Sequence, residues 1–176
     1  NLLRWWLAAA GAATPSAAVL AEILALPSAA ADRSVRVAWG GWQLRRFQDH
    51  LHLLADAELA PLETARDWPV GAAPPALGAW RLVAGPGDGT ADQPALQVPD
   101  GLPLRLAPAR GGERLALNGC HQRVAELWRA AGVPPWRRRQ WPLAYAGDQL
   151  IAVPGVAAAD PWRDQPLTTW HLEPAS

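Results

Sequence analysis

Nearly one residue in five is a proline or a glycine, 18 of the first and 15 of the second in a chain of 176. That density constrains the fold more than any other feature. Proline removes a backbone donor and blocks a helix interior, and glycine raises the entropic cost of holding any regular element. Long helices are excluded, and short elements with frequent connections are expected. Half the residues are apolar and the net charge is zero, so a buried core forms and disorder is not expected. Eleven tryptophans supply most of the large apolar area. The length suits one large domain or two small ones. No apolar run approaches the roughly 20 residues needed to cross a bilayer. No basic leader precedes the apolar start NLLRWWLAAAGAA, so no secretory signal is read. Methionine is absent even at position 1, so a piece of a longer protein is expected.

Local patterns divide the chain. Leu2, Leu3, Trp6 and Leu7 recur at helical spacing up to Gly11. Thr14-Pro15-Ser16 offers a cap with proline in the first turn of a second helix carrying Val19, Leu20, Ile23 and Leu24. Val35, Val37 and Trp39 alternate, then Gly40-Gly41, then Trp42 and Leu44, a strong hairpin signal. Beyond Leu44 the apolar phase slips to Phe47, Leu51 and Leu53, which predicts a β-bulge at Arg45-Arg46. Residues 71–100 read as a linker with short strands, among them 80–83 and a loose stretch, GPGDGTADQP. Leu102, Leu104 and Leu106 alternate as a strand, and Gly111-Gly112 makes a turn. Val124, Leu127, Trp128 and Ala131 line one face of a helix over 121–131, stopped by Gly132 and Pro134-Pro135. A second hairpin is expected around Gly147-Asp148. The fold class is α+β. A mainly helical domain with a β-hairpin covers 1–70, and a small α+β domain covers 101–176.

Charge is uneven. Residues 101–145 carry eight arginines against two acids, and acidic stretches flank them. A basic segment of this kind points to an anionic partner. Lysine is absent, so every basic residue is arginine and arginine counts need discounting. The densest run is GVPPWRRRQWP, which sets Arg137, Arg138 and Arg139 between tryptophans and prolines. Proline stiffness lowers the entropy cost of holding cations in place. Arg110, Arg114, Arg123 and Arg129 extend the set, and the turn at Arg110-Gly111-Gly112-Glu113-Arg114 lets backbone N–H groups approach an anion. Each has a structural alternative. Arg138 either contacts an anion or holds the turn; Arg45 and Arg46 suit bracing a hairpin. Trp128, Trp136 and Trp141 fit core packing better than base stacking. His50-x-His52 lacks further ligands at metal-site spacing, so no metal is expected. Cys120 is the single cysteine, a small buried thiol in expectation, which fits a reducing cytoplasm. No nucleophile–base pair is convincing, so no catalytic residue is assigned.

The order of motifs resembles a known family. LPLRLAPARGGERLAL, HQRVAELWRAAGVPPWRRRQWPL and AYAGDQLIAVPG, over 102–155, look like the C-terminal domain of bacterial tRNA(Ile)-lysidine synthetases. NLLRWWLAAAG, TPS and LRRFQDHLHLL, over 1–54, look like the substrate-binding domain of the same enzymes. The resemblance implies an ATP-dependent ligase that joins lysine to the wobble cytidine of an isoleucine tRNA with a CAU anticodon. It implies a separate PP-loop domain that uses ATP with Mg and adenylates the base before lysine attacks. That domain's Ser-Gly-Gly-x-Asp-Ser type motif is missing: neither Gly40-Gly41 nor Gly111-Gly112 has the following acid and serine. The chain is therefore expected to be the tRNA-recognising portion, inactive alone, without a cofactor of its own, cytoplasmic and not membrane-bound. Arg138 matches the family arginine after Pro-x-Trp-x. Ala125-Glu126 replaces a usual Lys-Lys pair, and Arg139 stands where an acid is common. The rival expectation is a protein-interaction module. Trp5 and Trp6 cannot share one helix face, and an exposed ring would serve docking or a homodimer.

Overall fold

A computed structural model describes residues 2–26, 35–85, 95–99, 101–163 and 167–174. Two compact units result, Asn1–Leu59 and Ala60–Ser176.

In the first unit, α1 (Leu2–Ala9) and α2 (Ala17–Ala25) cover a three-stranded antiparallel sheet of β1 (Arg36–Trp39), β2 (Trp42–Phe47) and β3 (His50–Ala55). Leu7, Leu20, Ile23, Leu26, Val37 and Leu44 form its core. Helix α1 stops where the sequence placed the stop. Gly11 adopts φ 74°, Ala12 N–H donates to Leu7 O at 2.9 Å and Gly11 N–H to Ala8 O at 3.0 Å. This pair is a Schellman motif. Ser16 caps α2, its Oγ accepting from Val19 N–H at 3.3 Å, while Pro15 lies before the helix rather than in its first turn.

Gly40 and Gly41 both take positive φ and close the β1–β2 hairpin, with Trp39 opposite Trp42. The bulge expected at Arg45-Arg46 is absent. β2 pairs with β3 in unbroken register from Trp42↔Ala55 to Phe47↔His50. The phase slip belongs to a tight turn at Gln48-Asp49, where Gln48 takes φ 53°. Arg45 and Arg46 do brace this hairpin. Arg45 Nε donates to buried Gln43 Oε1 at 2.7 Å, Gln43 Nε2 donates to Asp56, and Arg46 Nε donates to Gln48 O at 3.2 Å.

The second unit is built on strands, which pair as β12-β11-β10-β7-β4, β5-β13-β6 and β8-β9. The five-stranded sheet comprises β4 (Arg66–Pro69), β7 (Pro103–Pro108), β10 (Pro142–Ala146), β11 (Gln149–Val153) and β12 (Ala157–Ala158). The three-stranded sheet comprises β5 (Trp80–Ala84), β6 (Ala95–Pro99) and β13 (Leu167–Pro174). The stretch expected as a linker over 71–100 thus supplies two of these strands, and β4 already belongs to this unit. Residues 86–94 of the loose stretch lie outside the described residues. Both strands pair with β13, far along the chain, and Trp80, Leu82, Leu96 and Val98 are core residues.

Tryptophan edges join the two larger sheets. Trp68 meets Trp170 at 4.8 Å and Trp80 meets Trp141 at 5.5 Å, both edge-on. Trp141 Nε1 also donates to Pro154 O at 2.8 Å inside the core. The helix expected over 121–131 is shorter. Cys120–Arg123 is strand β9, paired with β8 (Arg114–Leu117) across Asn118-Gly119, and α3 runs only over Val124–Ala130. Asn118 and Gly119 both take positive φ, the signature of a two-residue hairpin. Cys120 is exposed, not buried, because all four residues of β9 lie open to solvent. One further turn of helix, α4, spans Asp160–Arg163. Among the described residues, no helix is long and apolar enough to cross a membrane.

Two outcomes follow from these contacts. Replacing Gly11 by Ala meets no atom within 4 Å, so its cost is conformational, about 1 kcal/mol, readable by urea denaturation. Glu173 accepts from His171 and from Arg81 (2.8 Å), and these bonds hold its carboxyl below the ordinary 4.5. A depressed folded value means that its contribution is complete above about pH 4.5 and is lost as pH falls through the lower, folded value. Thermal melts from pH 6 to pH 3 should show a shallower decline for Glu173→Gln than for the native chain. Parallel declines would remove this carboxylate from the acid response.

Candidate nucleic-acid interface

The basic run begins at a stop. Gly132 takes φ 69°, its N–H donates to Arg129 O at 3.1 Å, and Val133 N–H reaches Trp128 O at 2.8 Å. This is a second Schellman motif, closed by contact between buried Val133 and Trp128. Pro134 and Pro135 follow and carry no N–H, so the next two residues offer the chain no local donor. Arg138 folds back to fill the gap. Its Nε and Nη2 both donate to Val133 O, at 3.1 and 2.9 Å. Partial burial, then the nearby Arg129 charge, push its guanidinium below the usual arginine value. Of the two roles open in the sequence, Arg138 performs the structural one here.

The three consecutive arginines have three different surroundings. Arg137 is half-buried with its guanidinium 5.5 Å from the centre of the Trp80 ring, a cation–π contact. Arg139 is exposed at its side chain, while its carbonyl accepts from Leu62 N–H at 3.2 Å. Trp136 and Trp141 are buried, as is Trp128, so all three tryptophans pack rather than offer faces to bases. Alternation and turn geometry send one inward, one against an indole and one outward.

The other predicted residues lie on the neighbouring ribbon and helix. Arg114 and Arg123 are exposed and face one another across β8–β9. Arg114 Nη1 donates to His121 O at 3.3 Å. Arg110 is exposed on the loop before β8, and Arg129 is exposed in the last turn of α3, where it complements the helix dipole. An open cleft of about 590 Å³ brings Arg110, Arg114, Arg123, Arg138 and Arg139 together. Arg129 and Arg137 do not line it. Among the described residues none of Arg110, Arg114, Arg123 and Arg139 joins an ion pair. The turn's N–H groups are not vacant as expected: those of Arg110 and Gly111 are taken by the carboxylate of Glu113.

Sequence reasoning missed Arg105. It sits on β7 between buried Leu104 and Leu106, so alternation turns it to the outer face, opposite Tyr145 and Asp67. Its guanidinium lies 5.2 Å from the Tyr145 ring centre. Burial, then the charge of Glu113, raises the Tyr145 hydroxyl above its ordinary value. No group of three or more His, Cys, Asp or Glu side chains among the described residues is placed to hold a metal.

Two family profiles match the chain, the TilS substrate binding domain over residues 1–52 and the TilS substrate C-terminal domain over residues 104–173. Curated relatives named tRNA(Ile)-lysidine synthase match along most of its length. That of Yersinia pseudotuberculosis (strain IP 31758) is 32% identical over 98% of this chain and 41% of its own. That of Legionella pneumophila (strain Paris) is 30% identical over 98% of this chain and 39% of its own. That of Chromobacterium violaceum is 37% identical over 88% of this chain and 35% of its own. The chain spans about two fifths of the length of such relatives. A solved structure titled "Crystal structure of TILS C-terminal domain" covers 64% of this chain and 98% of that one, with 21% identity and a TM-score of 0.46.

The contrast between neighbouring arginines is testable. Arg138→Gln removes a two-pronged donor from a carbonyl that the prolines cannot serve, at a cost of about 1–3 kcal/mol in chemical denaturation. Arg139→Gln should change stability by less than about 0.5 kcal/mol. Equal losses would contradict the difference in their surroundings.

Proposed function

This chain belongs to the tRNA(Ile)-lysidine synthase family and carries its substrate-binding and C-terminal domains, and from that premise we propose that it is the tRNA-recognising portion of such a ligase. The observation that carries the reading is the arginine-lined cleft within the matched C-terminal domain. Arg110, Arg114, Arg123 and Arg139 contact the phosphates of an isoleucine tRNA, and Arg138 shapes the cleft while lending its charge. A guanidinium fork meets two phosphate oxygens at once, which suits an A-form backbone whose bases are hidden. Arg129 and Arg137 add to the field from outside the cleft. In this reading residues 1–70 and 101–176 are the tRNA-binding regions, while the structure divides after Leu59.

The whole enzyme converts the wobble cytidine of tRNA(Ile) with a CAU anticodon to lysidine, in the cytoplasm, using lysine, ATP and magnesium. Nothing among the described residues fits that chemistry. Gly40-Gly41 closes a hairpin and Gly111 is engaged by Glu113. No catalytic step is assigned to this chain, and alone it is inactive as a ligase.

A second reading has its own observation. Leu2, Trp5 and Leu24 are exposed on the helices of the first unit, Trp5 at 67%. A protein-docking or homodimer face there is compatible with RNA binding elsewhere, and sedimentation over a concentration series reads it.

Binding of an unmodified isoleucine tRNA transcript should weaken with salt, with a log–log slope of about −3 to −5 for roughly four to six phosphates. Affinity indifferent to ionic strength, or equal for the chain with Arg110, Arg114, Arg123 and Arg139 replaced by Gln, would defeat the proposal.

A further inference from the structure

The cleft already holds an anion, and the protein supplies it. Glu113 turns its carboxylate back onto the loop before it. Gly111 N–H lies 3.0 Å from both carboxylate oxygens, and Arg110 N–H donates to Oε1. Successive backbone N–H groups converging on one anion form a nest, which accepts carboxylate and phosphate oxygens alike. Gly111 and Gly112 hold it open with φ of 97° and 88°, values that other residues rarely adopt. The backbone shape therefore does not depend on a side chain other than hydrogen at these positions.

The surroundings make this carboxylate unusual. Arg110, Arg114, Arg123 and Arg139 line the same cleft, yet Glu113 forms an ion pair with none of them. A carboxylate placed to neutralise that field would meet a guanidinium. This one takes the backbone donors and leaves the guanidinium groups to another anion.

We propose that the loop over 109–113 is a phosphate site, that Glu113 is its resident surrogate in the free protein, and that an RNA phosphodiester replaces the carboxylate on the Arg110 and Gly111 N–H groups. This rests on the RNA-binding reading above. The exchange is non-covalent: the side chain rotates out and is hydrated, and the phosphate enters as its counterions are released. The loop need not refold, so the donors stay organised throughout. An RNA that cannot place a phosphate at the nest leaves Glu113 facing its backbone, and the like charges count against it. The site thus adds selection by shape to an attraction that is otherwise indiscriminate.

The test uses the ¹⁵N-labelled 176-residue chain and an unmodified isoleucine tRNA transcript. The amide resonances of Arg110 and Gly111 should shift on RNA addition. Glu113→Gln should tighten binding about five- to tenfold, because the occupant to be displaced is no longer charged. Glu126→Gln removes the same charge from the exposed side of α3 and should change affinity by about twofold at most. RNA binding that leaves both amides unmoved overturns the inference, as does a Glu113→Gln effect that merely equals that of Glu126→Gln. If the native chain fails to bind the transcript at all, the RNA-binding reading has failed and the inference with it, a result the native isotherm alone identifies. Should Glu113→Gln unfold in a thermal melt, the amide shifts of the native chain decide.

Discussion

The carbonyl of Val133 is stranded by its own sequence. Helix α3 ends three residues earlier, at Ala130, and the two prolines after Val133 bring no donor. A half-buried carbonyl in that position costs free energy unless something reaches it. Arg138 reaches it with two N–H groups, and the consequences spread outward. The chain reverses tightly, Trp128, Trp136 and Trp141 are drawn into the core, and Arg139 is carried to the rim of the cleft. The one arginine of the three that the family resemblance singled out serves the turn, and the turn sets where its neighbours stand.

The same economy governs the loop before β8. An Arg-Gly-Gly turn exposes backbone donors that need partners. Glu113 satisfies them internally, so the free protein is not left with vacant N–H groups in a strongly positive cleft. Asp160 does the same for the β8–β9 turn, accepting from Asn118 N–H at 2.9 Å and Gly119 N–H at 3.0 Å. The two carboxylates differ in setting. Asp160 ties a ribbon to a distant helix turn, whereas Glu113 sits in a cleft lined by arginines with none of which it forms an ion pair.

Local chemistry was legible where it acts over a few residues. The hairpins at Gly40-Gly41 and Gly147-Asp148, the stop at Gly11 and the cap at Ser16 all rest on backbone preferences of neighbouring residues. Errors arose where a pattern admits two readings. Val124, Leu127 and Trp128 gave the true helical face, but His121 to Arg123 are compatible with helix or strand, and pairing with Arg114–Leu117 decided for strand. The phase slip after Leu44 fitted a bulge or a turn, and His50 pairing with Phe47 decided for the turn. Trp80–Ala84 looked isolated because its partner strand lies more than eighty residues further along the chain, Trp80 standing opposite Pro174.

Family, α+β class, the basic character of residues 101–145 and the roster of arginines were all readable along the chain, since composition, motif order and short-range turn preferences are local properties. Only the tertiary structure decided which arginines share a cleft. Arg110, Arg114, Arg123 and Arg139 converge because a ribbon, a loop and a proline-bound turn pack onto one core, while Arg137, next in line to Arg138, is turned against an indole. The direction of a side chain depends on which donors and acceptors its fold leaves unpaired, and those are set by long-range pairings that no local stretch of sequence contains.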